Sequence, residues 1–425
     1  MAPIHRRKFV AGLGTALATF GLPANRQSFA QAQPRVVVVG GGFGGASVAR
    51  WLRRIDPAIA VTLIERNARF VTCPFSNAVI AGLREIDSIT FGYDGVRRAG
   101  VEVIQGEVIG IDAGSRAVRV AGGASVTYDR LVLAPGIQLV WGAMQGYDEA
   151  ASEVMPHAWQ AGPQTLLLRR RLEAMDDGGT VVIAVPDNPY RCPPGPYERA
   201  SLIAWYLKNK KPRSKLIVLD AKETFSKQPL FQEAWRTLYP GLIEWRPKSQ
   251  SGRVVSVNAA NGTLTTEFDD IRASVANVIP PQRAGQVAIA LGLDQGRGFC
   301  AVDPKTFESR VQPGIHLIGD SIVPGGMPKS GFSANSQAKA CARAVVGLLR
   351  GLPIEDSVLL NTCYSIAAPQ YGFSIAGVFQ PSDQGLTEVP GTVGTSALGL
   401  PSSARHLEAD YGDSWYRNIT DEMFG

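Results

Sequence analysis

Short β-branched runs broken by glycine or proline recur along the chain and alternate with stretches of helical periodicity. Arg35-Val36-Val37-Val38-Val39 is apolar at successive rather than alternate positions. That pattern suits a strand buried on both faces of a parallel sheet. It runs into Gly40-Gly41-Gly42-Phe43-Gly44-Gly45, then into helical character over residues 46–54. Val61-Thr62-Leu63-Ile64 reads as the next strand and ends at Glu65. Strands are also predicted at residues 180–185 and 215–219, with helices over about 197–208 and 331–346. Such alternation predicts an α/β fold with Rossmann-like units. Residues 381–403 are rich in Gly, Pro, Ser and Thr and show no sustained helical stripe.

The first glycine cluster has a mechanism behind it. Gly40, Gly42 and Gly45 fit G-x-G-x-x-G in a strand–turn–helix setting, with an acid, Glu65, 20 residues after Gly45. The first glycine permits the turn, the second lets a pyrophosphate approach the backbone, and the third lets helix and strand pack closely. The helix N-terminus then faces the phosphate charge, and Glu65 is placed to bind ribose hydroxyls.

A second nucleotide unit is expected after Thr180-Val181-Val182-Ile183-Ala184-Val185, but no glycine fingerprint follows. The chain reads Pro186-Asp187-Asn188-Pro189-Tyr190-Arg191-Cys192-Pro193-Pro194-Gly195-Pro196 instead. Proline offers a phosphate no N–H and cannot take positive φ. Lys215 to Leu219 and Asp220 still match the next strand and its acid, so the fold is expected to persist without a nicotinamide site. Cys192 lies just before a helix, where a thiolate is stabilised.

The composition is that of an ordinary globular chain: 425 residues, 45% hydrophobic and 19% charged, with 46 Gly and 28 Pro. The formal charge of +6 owes much to the first 30 residues, which hold Arg6, Arg7, Lys8 and Arg26 and no acid. This gives no support for nucleic-acid binding, which needs a clustered basic face. The same 30 residues have a basic start, an uncharged run over residues 11–22, and small residues near Ala30. That is the form of an export signal of twin-arginine type, and it implies a soluble periplasmic protein. Five cysteines follow: Cys73, Cys192, Cys300, Cys341 and Cys363. The odd count leaves at least one thiol outside any internal pairing, and spacing does not say which pair.

Two later segments indicate the cofactor. Residues 128–136 (Tyr128-Asp129-Arg130 through Ala134-Pro135-Gly136) resemble the returning strand of the FAD domain in two-dinucleotide-domain, disulfide-reductase-like flavoproteins. Gly314-Ile315-His316-Leu317-Ile318-Gly319-Asp320 resembles their second FAD motif. Over nearly its whole mature length the chain also resembles the flavoprotein subunit of flavocytochrome c sulfide dehydrogenase. The segments that carry this are Thr72-Cys73-Pro74, residues 190–200, 280–285 and 328–337, Asn361-Thr362-Cys363-Tyr364-Ser365, and residues 414–419.

The resemblance implies an FAD-binding domain in two parts, 31–155 and 276–351. A Rossmann-like insert lacking the NAD(P) fingerprint fills 156–275, and an α+β C-terminal domain spans 352–425. It implies FAD attached through its 8α-methyl to Cys73 and a redox-active Cys192–Cys363 disulfide that sulfide opens. Glu198, close to Cys192 at the start of the next helix, is placed either to carry protons or to be a helix-start carboxylate held by the dipole. The expected cofactor contacts are Gly40, Gly42, Phe43, Gly44, Gly45, Glu65, Arg66, Cys73, Val108, Ala134, Gly136, Gly319, Asp320 and Lys329, with no metal. Lys329 is expected to stabilise the charge of reduced flavin. A c-type cytochrome subunit is the implied partner, and the chain has no C-x-x-C-H of its own. Competing readings are a sulfide:quinone oxidoreductase and a non-catalytic flavin-loaded partner of periplasmic sulfur-oxidising proteins.

Overall fold

The computed structural model describes residues 33–425, so the expected export signal over residues 1–30 lies outside the described residues. The chain begins with β1 (Arg35–Val39), α1 (Phe43–Ile55), β2 (Ala60–Glu65), β3 (Glu102–Gln105) and β4 (Arg130–Leu133). β1 lies parallel between β2 and β4, with Val36 opposite both Val61 and Arg130. Its valines are covered on both faces, which is why the run is apolar at successive positions. α1 packs directly on β1 because Gly45 lacks a side chain: a Cβ there would lie 1.7 Å from the Gly40 carbonyl oxygen.

The chain then leaves this sheet for a second one. β5 (Thr180–Val185), α2 (Gly195–Lys210), β6 (Lys215–Asp220), α3 (Gln228–Leu238), β7 (Ile243–Arg246) and β8 (Val275–Val278) form it, in strand order β7-β6-β5-β8 and all parallel. β8 carries this unit three residues past the boundary expected at 275. β9 (Ile315–Leu317) returns to the first sheet beside β4 and leads into the 20-residue α4 (Gly331–Arg350), which packs along α1.

The last segment pairs β10 (Leu359–Ala368) with β11 (Tyr371–Ser382), Cys363 opposite Ile375, and β11 with β12 (Gly385–Glu388). A 23-residue helix, α5 (Ser402–Phe424), ends the chain. The sequence pattern did not foresee it, because its buried residues serve two different neighbours rather than one stripe. Arg405 ties to Glu233 of α3, whereas Phe424 stacks on Phe91 and Tyr416 hydrogen-bonds Thr72 on the first unit. No helix among the described residues is long and apolar enough to cross a membrane.

Candidate functional site

A cavity of about 1260 Å³ opens where the three parts of the chain meet. Its walls include Gly40, Gly42, Phe43, Gly44, Glu65, Arg66, Cys73, Val108, Ala134, Gly136, Gly319 and Asp320, together with Cys192, Glu198 and Cys363. Two expected contacts are not among its lining. Gly45 lies behind the wall, against the Gly40 carbonyl. Lys329 is a correction: it neither lines the cavity nor sits on the surface. Its ammonium is buried, donates to the carbonyls of Asp320 and Ile322, and lies 3.8 Å from the centre of the Phe299 ring. Burial lowers it to about 8. The backbone carbonyls of a tight turn outcompeted the cavity for this cation.

The dinucleotide end of the cavity fits FAD. Glu65 accepts from Gly41 N at 2.7 Å and from Asn67 N at 2.9 Å, which fixes its carboxylate at the ribose end. Asp320 lies at the other end with Oδ1 buried and unpartnered, the kind of orphan a cofactor hydroxyl would satisfy. Burial pushes the Asp320 carboxyl up, while Arg191 and Lys329 oppose that shift.

Three cysteines reach the cavity from three different segments. Cys73 lies in the loop between the short strand Phe70–Val71 and the short helix Ser76–Ile80, its Sγ 3.9 Å from the Trp159 carbonyl. The Arg191 guanidinium also donates to that carbonyl and lies 4.0 Å from Asp320. Cys192 takes a left-handed φ of 56°, unusual for a residue with a side chain, and its N–H donates to the Lys329 carbonyl at 2.8 Å. Gly195 must be glycine here, since a Cβ would lie 3.1 Å from the Cys192 sulfur and 2.8 Å from Trp159. Burial pushes the Cys192 thiol up, and the nearby Cys363 and Glu198 push it further. Cys363 stands on the inward face of β10. All five cysteines are free thiols in the structure, so the expected Cys192–Cys363 bond is not formed there. Cys300 and Cys341 are buried away from the cavity.

A directional polar network supports the pair. Glu198 accepts from Ile366 N at 2.9 Å and from Asn77 Nδ2 at 2.7 Å; burial pushes its carboxyl up. Arg199, only 2% exposed, donates to Asn77 Oδ1, Asn277 Oδ1 and the carbonyls of His157 and Ala158, and burial lowers it to about 10. Lys227, at the start of α3, donates at 2.7 Å both to the Cys363 carbonyl and to Ser365 Oγ. Burial lowers Lys227 to about 8. Sequence reasoning missed Asn77, Arg191, Arg199, Lys227 and Asn361. One signal was available: in β10 the inward positions read Leu359, Asn361, Cys363, Ser365, Ala367, and polar residues on a buried face mark a site.

The corresponding end of the second unit is filled. Asp220 accepts from Tyr197 Oη at 2.5 Å, Lys222 Nζ at 2.5 Å and Trp245 Nε1 at 3.0 Å. Phe225 stacks on Tyr197 with centroids 3.7 Å apart. Aromatic side chains occupy the acid that would otherwise hold a ribose.

Comparison with known proteins agrees with this architecture. Residues 165–280 match the family described as Sulfide dehydrogenase (flavocytochrome c) flavoprotein chain, central. Residues 355–424 match Flavocytochrome c sulphide dehydrogenase, flavin-binding, and residues 34–157 match Pyridine nucleotide-disulphide oxidoreductase. The chain is 73% identical over 45 residues to the sulfide dehydrogenase (flavocytochrome c) flavoprotein chain of Chlorobaculum thiosulfatiphilum, covering 11% of this chain and 94% of that sequence. It is 28% identical over 383 residues to the sulfide-quinone reductase of Aquifex aeolicus (strain VF5), covering 83% and 86% of the two chains. The solved sulfide:quinone oxidoreductase of Aquifex aeolicus superposes with a TM-score of 0.73 at 19% identity, covering 92% of each chain. A putidaredoxin reductase in its covalent complex with putidaredoxin gives 0.65 at 16% identity, covering 89% and 94%.

Proposed function

From the premise that the chain belongs to the flavocytochrome c sulfide dehydrogenase flavoprotein family, and is an FAD-binding oxidoreductase acting on sulfide, we propose that it works through Cys192 and Cys363 as a disulfide-exchanging pair. The observation that carries this is the arrival of both cysteines, from separate parts of the chain, in the cavity that also holds Cys73.

In the oxidised pair HS⁻ attacks one sulfur, a new S–S bond forms, and the old one breaks. One cysteine becomes a persulfide and the other leaves as a thiolate. Glu198, half-buried near Cys192, takes the proton when H₂S enters as HS⁻; its raised affinity for protons suits that task. A second hydrosulfide removes the sulfane sulfur and leaves two thiolates. Bound FAD supplies the two-electron acceptor that lets the disulfide re-form, and it can pass electrons on singly. Cys73 is the residue for covalent attachment of the flavin. A c-type cytochrome is the acceptor, and the twin-arginine leader directs the folded protein to the periplasm. NAD(P)H is not a donor; the engagement of Asp220 by Tyr197, Lys222 and Trp245 supports this.

The test is anaerobic mixing of sulfide with the purified protein, followed by addition of cytochrome c or a short-chain quinone. Wild type should bleach its flavin and then reduce cytochrome c. Cys192→Ser and Cys363→Ser should keep FAD and fail to bleach. Undiminished bleaching in either variant overturns the pair, and reduction of quinone alone overturns the acceptor.

A further inference from the structure

Cys363 has a side-chain hydrogen-bonding environment that Cys192 lacks among the described residues. Its Sγ lies 3.5 Å from Asn361 Nδ2, two residues earlier on the same inward face of β10. The orientation of that amide is set from behind. Asn361 Oδ1 accepts from Ser330 Oγ at 2.6 Å and from Ser333 Oγ at 3.1 Å. Ser330 is itself fixed as the cap of α4, where it accepts from Ser333 N at 3.0 Å. All three side chains are buried, Asn361 to 3% exposure. With both hydroxyls on Oδ1, the NH₂ group is the end of the amide nearer the sulfur, at 3.5 Å against 3.7 Å for Oδ1.

We propose that Asn361 is a catalytic residue that stabilises Cys363 as a thiolate leaving group, with Ser330 and Ser333 as its positioning residues. This rests on the cysteine-pair reading above. A protonated Cys363 can donate to Oδ1 at 3.7 Å, but a thiolate is acceptor-only and finds its partner in Nδ2. Charge-assisted hydrogen bonds are the stronger kind, so the contact favours the ionised sulfur. When HS⁻ attacks the sulfur bonded to Cys363, the S–S bond breaks and both of its electrons pass to Cys363 Sγ. The nucleophile's new S–S bond balances the one lost, and no further oxidant enters. A better-stabilised thiolate leaves faster. The positive end of the α4 dipole, at Ser330, reinforces the same charge.

The experiment is alkylation of the phosphine-reduced holoprotein by iodoacetamide at pH 7, anaerobically, with each cysteine followed by peptide mass spectrometry. Asn361→Ala should slow alkylation of Cys363 about tenfold, on the scale of a hydrogen bond to a charged group, and leave Cys192 unchanged. Asn361→Asp, isosteric but unable to donate when ionised, should be slower still. Ser333→Ala, which leaves the α4 cap in place and frees the amide, should slow Cys363 about threefold and serves if the Asn361 variants do not fold. Cys363 rates within twofold of wild type, or equal slowing of Cys192, overturn the proposal. Because alkylation involves no sulfide turnover, it is read separately from the Cys363→Ser bleaching test that decides the pair itself.

Discussion

The Arg199–Asn77–Glu198–Ile366 chain of hydrogen bonds can be tested by reversing its polarity. Glu198 uses one oxygen for Ile366 N and the other for Asn77 Nδ2, while Asn77 Oδ1 serves Arg199 Nε. Glu198→Gln leaves one oxygen for two donors. If that oxygen keeps Ile366 N, the new NH₂ meets the Asn77 NH₂. Rotating Asn77 turns its NH₂ onto Arg199 Nε–H, which is no better. One buried donor pair is mismatched in every arrangement, at a cost of about 1–3 kcal/mol. Neutralising a buried carboxylate returns part of that, so the single variant is a poor gauge. Asn77→Asp alone sets a second carboxylate against Glu198. Together the two changes restore the run from Arg199 to Ile366, leaving unreplaced only the longer bond, 3.3 Å, from Asn77 Nδ2 to the Gly195 carbonyl. The new carboxylate at position 77 accepts from Arg199 and from the new amide at position 198, whose own oxygen accepts from Ile366 N. The double variant should therefore be more stable than the two single losses sum to, by about 1–3 kcal/mol. Urea unfolding of the four proteins measures that coupling. A value within about 0.3 kcal/mol of zero would refute the directional network, since non-interacting sites add to about that precision. The double variant should still reduce its flavin with sulfide at least about tenfold slower, because no carboxyl remains at position 198 to move the proton. Recovery of the wild-type rate removes Glu198 from proton transfer.

Gly45→Ala should abolish FAD loading, because the Cβ would lie 1.7 Å from the Gly40 carbonyl and the whole α1 N-terminus must move; Gly44→Ala meets only side-chain atoms, Ile318 at 3.2 Å and Ala134 at 3.4 Å, and should load normally. The flavin-to-protein absorbance ratio decides between them. His157 and His316 are buried neutral and held down to about 3 and about 4 by burial, so the unfolded chain binds protons that the native one refuses. Their contribution to stability is full above the ordinary histidine value and is lost as pH falls from ~6.5 towards 4, at about 1.4 kcal/mol per pH unit for each. His157→Gln should flatten the acid limb of urea-unfolding stability by about that slope, and an unchanged limb rejects the assignment. Cys73→Ser should release its FAD on acid precipitation while wild type keeps a yellow pellet; release from both rules out the covalent link.

The local patterns in the sequence were sufficient for whatever depends on neighbours in the chain. The apolar run at 35–39, the glycines at 40–45 and Glu65 determined one nucleotide-binding crossover, because turn, helix start and acid are spaced by strand and helix geometry alone. The prolines after Val185 marked a second crossover without the glycine turn of the first, because proline carries no N–H and cannot take positive φ. The identity of Cys73, Cys192 and Cys363 was legible as a family resemblance, not as a contact. Tertiary structure alone decided which side chains surround those sulfurs. Lys227 belongs to a helix start with no motif, and it reaches the Cys363 carbonyl only because α3 packs beside β10. Asn361 is an ordinary strand residue until Ser330 and Ser333, at the start of α4, fix its amide. Lys329 went the other way: a lysine beside the second FAD motif turned from the cavity because the carbonyls of Asp320 and Ile322, nine and seven residues earlier, lay within reach. Backbone pattern is a short-range property of the chain. The electrostatics of a buried thiol are set by groups within a few ångströms in space, and those come from wherever the fold brings them.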